Sequence, residues 1–172
     1  KYNVVVTNPP YLGSPRFSPK LSEYVNLRYS DVKSDLSMAM YKKAITDFSN
    51  INGFTAFITT SSWMFLKNFE KLRRYVLQHS DLDSIVDFGT ELFEGKVGHN
   101  PIVAWVTRNS LIKKKMTAVR LVEFCYSRRS EKELEFFNPT NRHYPIKENF
   151  SKIPGMPIAY WVSDNIQKSY SN

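Results

Sequence analysis

Cysteine is almost absent from this sequence, and long apolar runs are absent altogether. The lone Cys125 excludes a disulfide framework and a cysteine-rich zinc site within the chain. The three histidines, His79, His99 and His143, are too scattered to indicate another metal site. No apolar run approaches the roughly 20 residues that a membrane-spanning helix needs, and no signal-peptide pattern is present. We therefore expect an intracellular, cytoplasmic protein that holds no metal ion.

Positive charge and aromatic side chains are what the chain has in excess. It carries 24 lysines and arginines against 16 acidic residues, a formal charge of +8, which favours a polyanionic partner. Aromatic residues make up 15% of its 172 residues, a share that argues against disorder and for a domain with a packed core. The chain opens inside a strand pattern without a methionine, so we expect it to be a piece of a longer protein.

Hydrophobic periodicity predicts strands that alternate with amphipathic helices. Strands are predicted at Tyr2–Thr7, 54–59, 84–88, 102–107 and, less strongly, 117–124. Helices are predicted from Asp35 to the Asn52-Gly53 pair, over 64–78 and, short and exposed, over 127–137, with loops over 13–33 and 138–157. This order predicts an α/β fold, a mostly parallel sheet with flanking helices and a final antiparallel strand, in which Tyr2–Thr7 is a buried central strand.

The tetrapeptide Asn8-Pro9-Pro10-Tyr11 follows the first predicted strand directly. Two consecutive prolines fix their φ angles and stiffen the turn, and each pushes the residue before it towards extended backbone. The Asn8 side chain and the Pro9 carbonyl can then aim two acceptors at one amino group, while Tyr11 offers a flat face to a base. The pattern is typical of a site that holds an exocyclic amino group during methyl transfer, although a plain proline turn has the same sequence.

Other polar residues are expected near this tetrapeptide because of the sheet topology. Ligands of parallel α/β sheets bind at the carboxyl ends of the strands. Asn8, Thr60, Ser61 and the loop 89–101 all follow predicted strands, so we expect them to share that edge.

Four segments of the chain resemble the PglX-type adenine-specific DNA methyltransferases of BREX phage-defence systems. They are VVVTNPPYLGS, KSDLSMAMYKKAI, SSWMFLKNFEKLRRYVL and IPGMPIAYWVSD. They occur in the family's order and spacing and together cover most of residues 2–109 and 153–164.

The resemblance implies a Rossmann-like class I methyltransferase fold, of which this chain is the C-terminal half. Residues 1–125 would belong to the catalytic domain, and residues 126–172 would form a charged helix and loop segment that leads to a target-recognition region. The implied cofactor is S-adenosylmethionine, but the family's glycine-rich cofactor turn has no counterpart here. The segment 95–98 has two glycines but opens no predicted helix, so we reject it as that turn. We expect the fragment alone to be inactive.

For an adenine substrate, the tetrapeptide would act on a weak nucleophile, because the N6 lone pair is delocalised into the ring. Hydrogen bonds accepted by Asn8 and Pro9 would favour the nucleophilic form of the nitrogen and strengthen as charge develops on it. The base must be flipped out of double-stranded DNA to reach them. Tyr11 would stack on one face of the base, and the resemblance places Phe93 on the other; a phenylalanine that anchors its loop in the core is the competing interpretation.

Six more residues are candidates for minor roles. The resemblance places Asp35 beside the active site, although an ordinary helix N-cap explains it equally well. Ser61 and Trp63 end the second strand near the site, and Trp63 is expected in the core. Finally, phosphate contacts are candidates for three basic residues of the 13–33 segment, each more simply a solvated surface charge: Arg16, Lys20 and Arg28.

Alternative functions remain open from the sequence. Similar motifs occur in enzymes that methylate RNA guanine or protein glutamine. A nuclease could be fused to the methyltransferase outside this chain, other defence-system proteins could be needed, and a degenerate fold could act only as a DNA-binding scaffold. The intact Asn8–Tyr11 motif argues against the last of these.

Overall fold

A six-stranded mixed sheet runs through the described part of the chain, which comprises residues 1–93, 99–112 and 115–162 of the computed structural model. Its strands are β1 (Tyr2–Thr7), β2 (Ser49–Thr60), β3 (Asp81–Gly89), β4 (Ile102–Arg108), β5 (Thr117–Arg120) and β6 (Arg142–His143). Their order across the sheet is β1-β2-β4-β3-β5-β6. An α/β fold was predicted, and the structure confirms it at this level.

The strand directions place an antiparallel strand inside the sheet. β1 pairs with β2 and β3 with β5 in parallel, whereas β4 is antiparallel to both β2 and β3, and β6 to β5. β1, β2, β3 and β5 therefore share one direction, and their carboxyl ends lie at one edge. Alternating strands and helices could not reveal that β4 inserts between β2 and β3, since strand order is a tertiary property.

β1 is an edge strand, which corrects the prediction of a buried central strand. Among the described residues it pairs with β2 alone. Its apolar side chains are largely exposed, with Val4 at 59% and Val6 at 71% of full accessibility, whereas Val5 packs against the core. An apolar β-branched run is typical of a strand covered on both faces, but burial depends on what lies beside the strand.

The part of the chain that the structure describes forms five α-helices, and two of them pack against the sheet. The helices are α1 (Pro19–Arg28), α2 (Leu36–Lys43), α3 (Glu70–His79), α4 (Lys132–Phe136) and α5 (Lys147–Phe150). Tyr41 of α2 and Leu72 and Val76 of α3 pack on side chains of the central strands. The short charged helix predicted over 127–137 is also confirmed: it is a 3-10 turn that continues into α4.

Several element boundaries differ from the predictions. The predicted loop 138–157 contains β6 and α5, and the strand predicted over 117–124 ends at Arg120. The segment 13–33 is not a continuous loop: Ser18 caps α1 by accepting a hydrogen bond from the Leu21 amide at 3.3 Å, and Pro19 occupies the first turn. The helix after Asp35 ends in a π-turn at Phe48, not at the Asn52-Gly53 pair as predicted. That pair lies within β2. The helix predicted from residue 64 begins six residues later, after two 3-10 turns.

An aromatic stack forms the centre of the core. The ring centroids of Trp63 and Tyr41 each lie 4.2 Å from that of Trp105, and Phe57 meets Tyr41 edge-to-face. Trp105 Nε1 donates to Thr59 Oγ1 at 3.0 Å, and the Tyr41 hydroxyl donates to Thr107 Oγ1 at 3.0 Å. Trp63 is fully buried, as predicted for a core residue.

The segment that follows β5 packs back on the same sheet. β6 pairs with β5 through Ala118 and His143. The α5 residue Lys147 forms a buried ion pair with Asp81 at the start of β3. The other carboxylate oxygen of Asp81 accepts hydrogen bonds from the Ser110 hydroxyl at 2.9 Å and the Ile112 amide at 2.8 Å.

Candidate functional site

The Asn8–Tyr11 motif leaves the carboxyl end of β1, where the last paired residue, Thr7, lies opposite Phe57. Pro9 is buried, Asn8 is exposed and Tyr11 is half-buried. The Tyr11 hydroxyl donates a hydrogen bond of 2.8 Å to Asn8 Oδ1. Burial raises the pKa of Tyr11 above 10, so its hydroxyl stays protonated at neutral pH. The two motif side chains that were predicted to contact a base are therefore neighbours.

The start of α2 supports the chain just beyond the motif. The Leu36 amide donates to the Leu12 carbonyl at 2.9 Å, and Gly13 forms an isolated bridge with Asp35. Asp35 Oδ1 accepts hydrogen bonds from the Ser37 amide, at 2.8 Å, and from the Ser37 hydroxyl. Asp35 is thus the predicted helix N-cap. Its bridge partner Gly13 lies only two residues after the motif ends at Tyr11.

The turn that ends β2 reaches the same edge of the sheet. Since Thr7 lies opposite Phe57, Ser61 lies four residues beyond Phe57, just after β2 ends and past the level of Asn8. Ser61 is buried, and its amide donates to the Pro101 carbonyl at 2.9 Å. The hydroxyls of Thr60 and Ser62 lie 2.8 Å apart. Ser61 therefore contributes to the floor of the edge, while Trp63 belongs to the core beneath it.

The loop after β3 also begins at this edge. Gly89 has a φ of 63°, and a Cβ there would lie 2.8 Å from Val122 Cα, so both its backbone angle and its packing require glycine. Glu91 has a φ of 62° as well, which makes the turn sharp. Phe93 is half-buried and is the last described residue before 94–98, which lie outside the described residues. The segment 95–98, considered above as a cofactor turn, lies outside the described residues.

Residues 125–132 grip the backbone of this loop. Lys132 Nζ donates a hydrogen bond to the Thr90 carbonyl, to which the Cys125 thiol also donates at 3.5 Å. The Tyr126 amide donates to Glu91 Oε2 at 2.6 Å, and Arg129 Nη2 donates to the Leu92 carbonyl at 3.5 Å. Desolvation lowers the pKa of Lys132. These contacts fix the chain that leads to Phe93, and no sequence motif signals them.

Asp87, near the carboxyl end of β3, is a buried carboxylate. Asp87 Oδ2 accepts a hydrogen bond of 2.8 Å from the Tyr160 hydroxyl, and Asp87 Oδ1 accepts one of 3.2 Å from the Gly89 amide. Burial raises the pKa of Asp87 despite these two donors, and burial together with Asp87 raises the pKa of Tyr160. No sequence motif predicted a role for Asp87 or Tyr160, although Tyr160 lies in the segment IPGMPIAYWVSD.

The three basic residues considered for phosphate contacts are all exposed. Arg16 lies in a 3-10 turn, and Lys20 and Arg28 lie in the first and last turns of α1. Among residues 1–93, 99–112 and 115–162, no three histidine, cysteine or acidic side chains come together as metal ligands would. No helix in the same part of the chain is long and apolar enough to cross a membrane.

Comparison with known proteins identifies the family. The model of the Eco57I restriction-modification methylase family matches residues 1–93, more than half of the chain. The chain belongs to this family. The match includes the Asn8–Tyr11 motif, α2 and the turn after β2. The resemblance to methyltransferases is thus confirmed at the level of the family.

Two curated relatives extend the similarity beyond the family match. The chain is 33% identical over 167 residues to the adenine-specific methyltransferase BrxX of Escherichia coli O9:H4 (strain HS). It is 36% identical over 174 residues to the adenine-specific methyltransferase PglX of Lacticaseibacillus casei (strain Zhang). Each alignment covers 95% of this chain but only 13% and 14% of the relatives, respectively. The chain thus spans about one seventh of their length.

Solved structures share the fold at low sequence identity. The methyltransferase subunit of a type I restriction-modification system from Streptococcus thermophilus superposes with a TM-score of 0.64 at 11% identity, over 92% of this chain and 37% of that one. At this identity the likeness is one of fold alone. It agrees with the mixed six-stranded sheet and its flanking helices.

The described residues do not by themselves form a cradle for a nucleoside cofactor. Such a cradle needs a glycine that lets the backbone approach the ligand. Gly13 stands alone before a 3-10 turn rather than in a glycine-rich turn that opens a helix, and Gly89 is required by its own packing on Val122. Gly53 lies inside β2, and Gly155 faces Arg73. The described edge carries the Asn8–Tyr11 motif instead.

Proposed function

We propose that this chain belongs to an adenine-N6 DNA methyltransferase of the restriction-modification or BREX phage-defence type, and that it carries the part that holds the adenine. The observation that carries the proposal is the pair formed by Asn8 and Tyr11 at the carboxyl edge of the sheet, in a chain of the Eco57I family. The names of BrxX and PglX, both adenine-specific methyltransferases, support the same substrate.

The proposed activity also implies a specific fold. We infer that the described sheet is the C-terminal half of a Rossmann-like class I methyltransferase domain, because the chain matches 37% of the Streptococcus thermophilus subunit. Residues 1–125 would be catalytic, and residues 126–172 would lead to target recognition. The proposed methyl donor is S-adenosylmethionine, as the family implies, and most of its site would be formed by residues outside this chain.

Asn8 and Pro9 would hold the acceptor nitrogen. The Asn8 Oδ1 and the Pro9 carbonyl accept hydrogen bonds from the two N6–H groups, which draws the nitrogen lone pair out of conjugation with the ring. Both hydrogen bonds strengthen as the nitrogen becomes positive, so they stabilise the transition state more than the ground state. Pro10 keeps the turn stiff, so the two acceptors need no rearrangement when the base arrives.

Two aromatic rings would hold the flipped adenine. Tyr11 stacks on one face, and Phe93, fixed by the grip of residues 125–132 on its loop, stacks on the other. Each such stack is worth roughly 1–3 kcal/mol. Asp35 positions the chain after Tyr11 through its cap of α2, and Ser61 forms the floor of the edge.

Double-stranded DNA is the proposed partner of the complete protein. The excess of basic residues favours a polyanion, and the exposed Arg16, Lys20 and Arg28 on the segment after the motif are the proposed phosphate contacts. Replacing any one of them by alanine should weaken binding alike for all DNA sequences and lower the salt dependence by about one counterion.

Comparison of acceptors tests the proposal. The complete protein is incubated with S-adenosylmethionine labelled in its methyl group and, separately, with unmethylated DNA, total RNA and a protein extract. The proposal predicts label in N6-methyladenine of the DNA. Label in guanine of RNA or in glutamine of protein would overturn the substrate assignment and keep the amino-group chemistry. If label enters DNA only when extract from a strain carrying the defence system is added, a partner protein is required.

A further inference from the structure

An exposed group of large apolar side chains, here called the aromatic rim, lies at the carboxyl edge of the sheet. The rim consists of Phe65, Leu66 and Trp161, which retain 39%, 52% and 40% of their full accessibility. The rings of Phe65 and Trp161 meet edge-to-face with their centroids 5.5 Å apart. Residues this large are normally buried, and their joint exposure on one surface is typical of a binding site.

A buried arginine holds the backbone beneath this rim. Arg73 of α3 is 1% accessible, and Nη1 donates to the carbonyls of Trp63 at 2.8 Å and Leu66 at 2.7 Å. Nε and Nη2 donate to the carbonyl of Gly155 at 3.0 and 2.7 Å. One side chain therefore ties the turn that carries Phe65 to the segment that carries Trp161.

Two further hydrogen bonds hold the segment 155–161 in place. The Ile158 amide donates to the Met64 carbonyl at 2.9 Å, and the Tyr160 hydroxyl donates to Asp87 at 2.8 Å. Tyr160 also packs edge-to-face on Trp161, with centroids 5.0 Å apart. The exposed rings are thus fixed in position before any partner binds, which lowers the entropic cost of binding.

The charges around the aromatic rim favour a polyanion. The exposed Lys67 lies two residues after Phe65, and the Arg120 guanidinium lies 5.2 Å from the centre of the Trp161 ring. Glu70 lines the adjoining groove of about 310 Å³, but Arg74 pairs with it at 3.2 Å. Glu123 pairs with Arg120 at 3.1 Å. Fixed aromatic faces beside cations are the combination that binds unstacked bases of nucleic acids.

We propose that the aromatic rim contacts the DNA next to the flipped base, with Phe65 or Trp161 against bases that lose a stacking neighbour when the adenine leaves the duplex. This inference rests on the proposed function and adds a contact surface to it. It follows from the shared edge: the turn after β2 carries Phe65 on the same side of the sheet on which Asn8 follows β1. An apolar side chain at that place would compensate the lost stacking.

Affinity for unmethylated plasmid DNA tests the aromatic rim in the complete protein. Phe65→Leu and Trp161→Leu keep apolar volume but remove the aromatic face, and each is expected to weaken binding roughly 5- to 150-fold, as for the loss of one base–aromatic stack. Ile51→Ala is the matched control, because Ile51 is an 85% exposed apolar residue at the other end of β2. This control should bind DNA as the wild type does.

Salt dependence separates stacking from charge in the same experiment. The two leucine variants should leave the slope of log affinity against log salt unchanged, whereas Lys67→Ala should lower it by about one. Thermal unfolding of all variants excludes a loss of folding, and Trp161→Phe, which keeps an aromatic face, should restore binding.

Wild-type affinity of both leucine variants would overturn the inference. If methyl transfer still depends on Asn8 in that case, the proposed function survives and only the rim's role fails. Wild-type DNA affinity with loss of self-association would assign the rim to a second copy of the chain.

Discussion

The Tyr11 hydroxyl hydrogen-bonds to Asn8 Oδ1 at 2.8 Å, the very atom that we propose to accept a hydrogen bond from the adenine amino group. Asn8 Oδ1 is therefore occupied by the protein itself when no base is present. The hydroxyl keeps the Asn8 side chain oriented towards the site and must give way, or share the oxygen, when the amino group arrives. Tyr11 would thus combine a stacking face with a placeholder for the substrate.

Removal of this hydroxyl separates the two roles of Tyr11. Tyr11→Phe keeps the ring and frees Asn8 Oδ1, so we expect kcat to stay within about tenfold and KM for DNA to stay the same or fall, because the net worth of one hydrogen bond is only about 0.5–1.5 kcal/mol. Tyr11→Ala loses the stack and should raise KM roughly 5- to 150-fold. Steady-state kinetics on DNA measure both. A large fall in kcat for Tyr11→Phe would mean that the hydroxyl acts in the reaction.

Local features of the chain could be predicted from the sequence more directly than the order of the strands. The prolines of the Asn8–Tyr11 motif fix local geometry, so the motif could be read directly, and the N-cap at Asp35 is equally local. The position of β1 at an edge and the insertion of β4 depend on which strands become neighbours, and periodicity carries no such information. The grip of Lys132 on Thr90 joins residues 42 apart. No short-range signal encodes such a contact.

The exposure of β1 predicts self-association of the 172-residue chain. Val4 and Val6 leave apolar surface on a strand that, among the described residues, is paired on one side only, so its outer edge can pair with another strand. We expect light scattering to show oligomers at micromolar concentrations, and expect the double variant Val4→Lys, Val6→Lys to reduce them. Leu27→Lys, on the exposed side of α1, is the control and should change nothing. A strictly monomeric wild-type chain at all concentrations would contradict this expectation.

Arg73 should matter far more for stability than its neighbour Arg74. Arg73→Met leaves the carbonyls of Trp63, Leu66 and Gly155 without their donor, which should cost roughly 2–5 kcal/mol of the free energy of unfolding. Arg74→Met removes only an exposed pair with Glu70 and should cost about 0.3–0.5 kcal/mol. Urea unfolding of the two variants measures the difference. Equal losses would show that the network around Arg73 contributes little.

Asp87 should make stability fall as pH rises. Its pKa in the folded state lies above its ordinary value of 3.8, because burial outweighs the donors Tyr160 and Gly89. Between 3.8 and that raised value the folded state binds more protons than the unfolded state, so this group's contribution to stability is full below the window and is lost as pH rises through it. We measure urea midpoints of the wild type and of Asp87→Asn from pH 4 to 8. The fall in stability with rising pH that Asp87 causes should be present in the wild type and absent from the variant. Parallel curves for the two proteins would refute the assignment.

Methyl transfer by an Asn8→Ala variant of the complete protein tests the central claim most directly. Wild type and variant are incubated with S-adenosylmethionine labelled in its methyl group and with unmethylated DNA, and the nucleosides are then separated. The account predicts label in N6-methyl-2′-deoxyadenosine for the wild type and a fall of at least about 100-fold for Asn8→Ala, as for the loss of one preorganised transition-state hydrogen bond. Unfolding curves and DNA affinity of the variant should match the wild type. Wild-type methylation by Asn8→Ala would contradict the account.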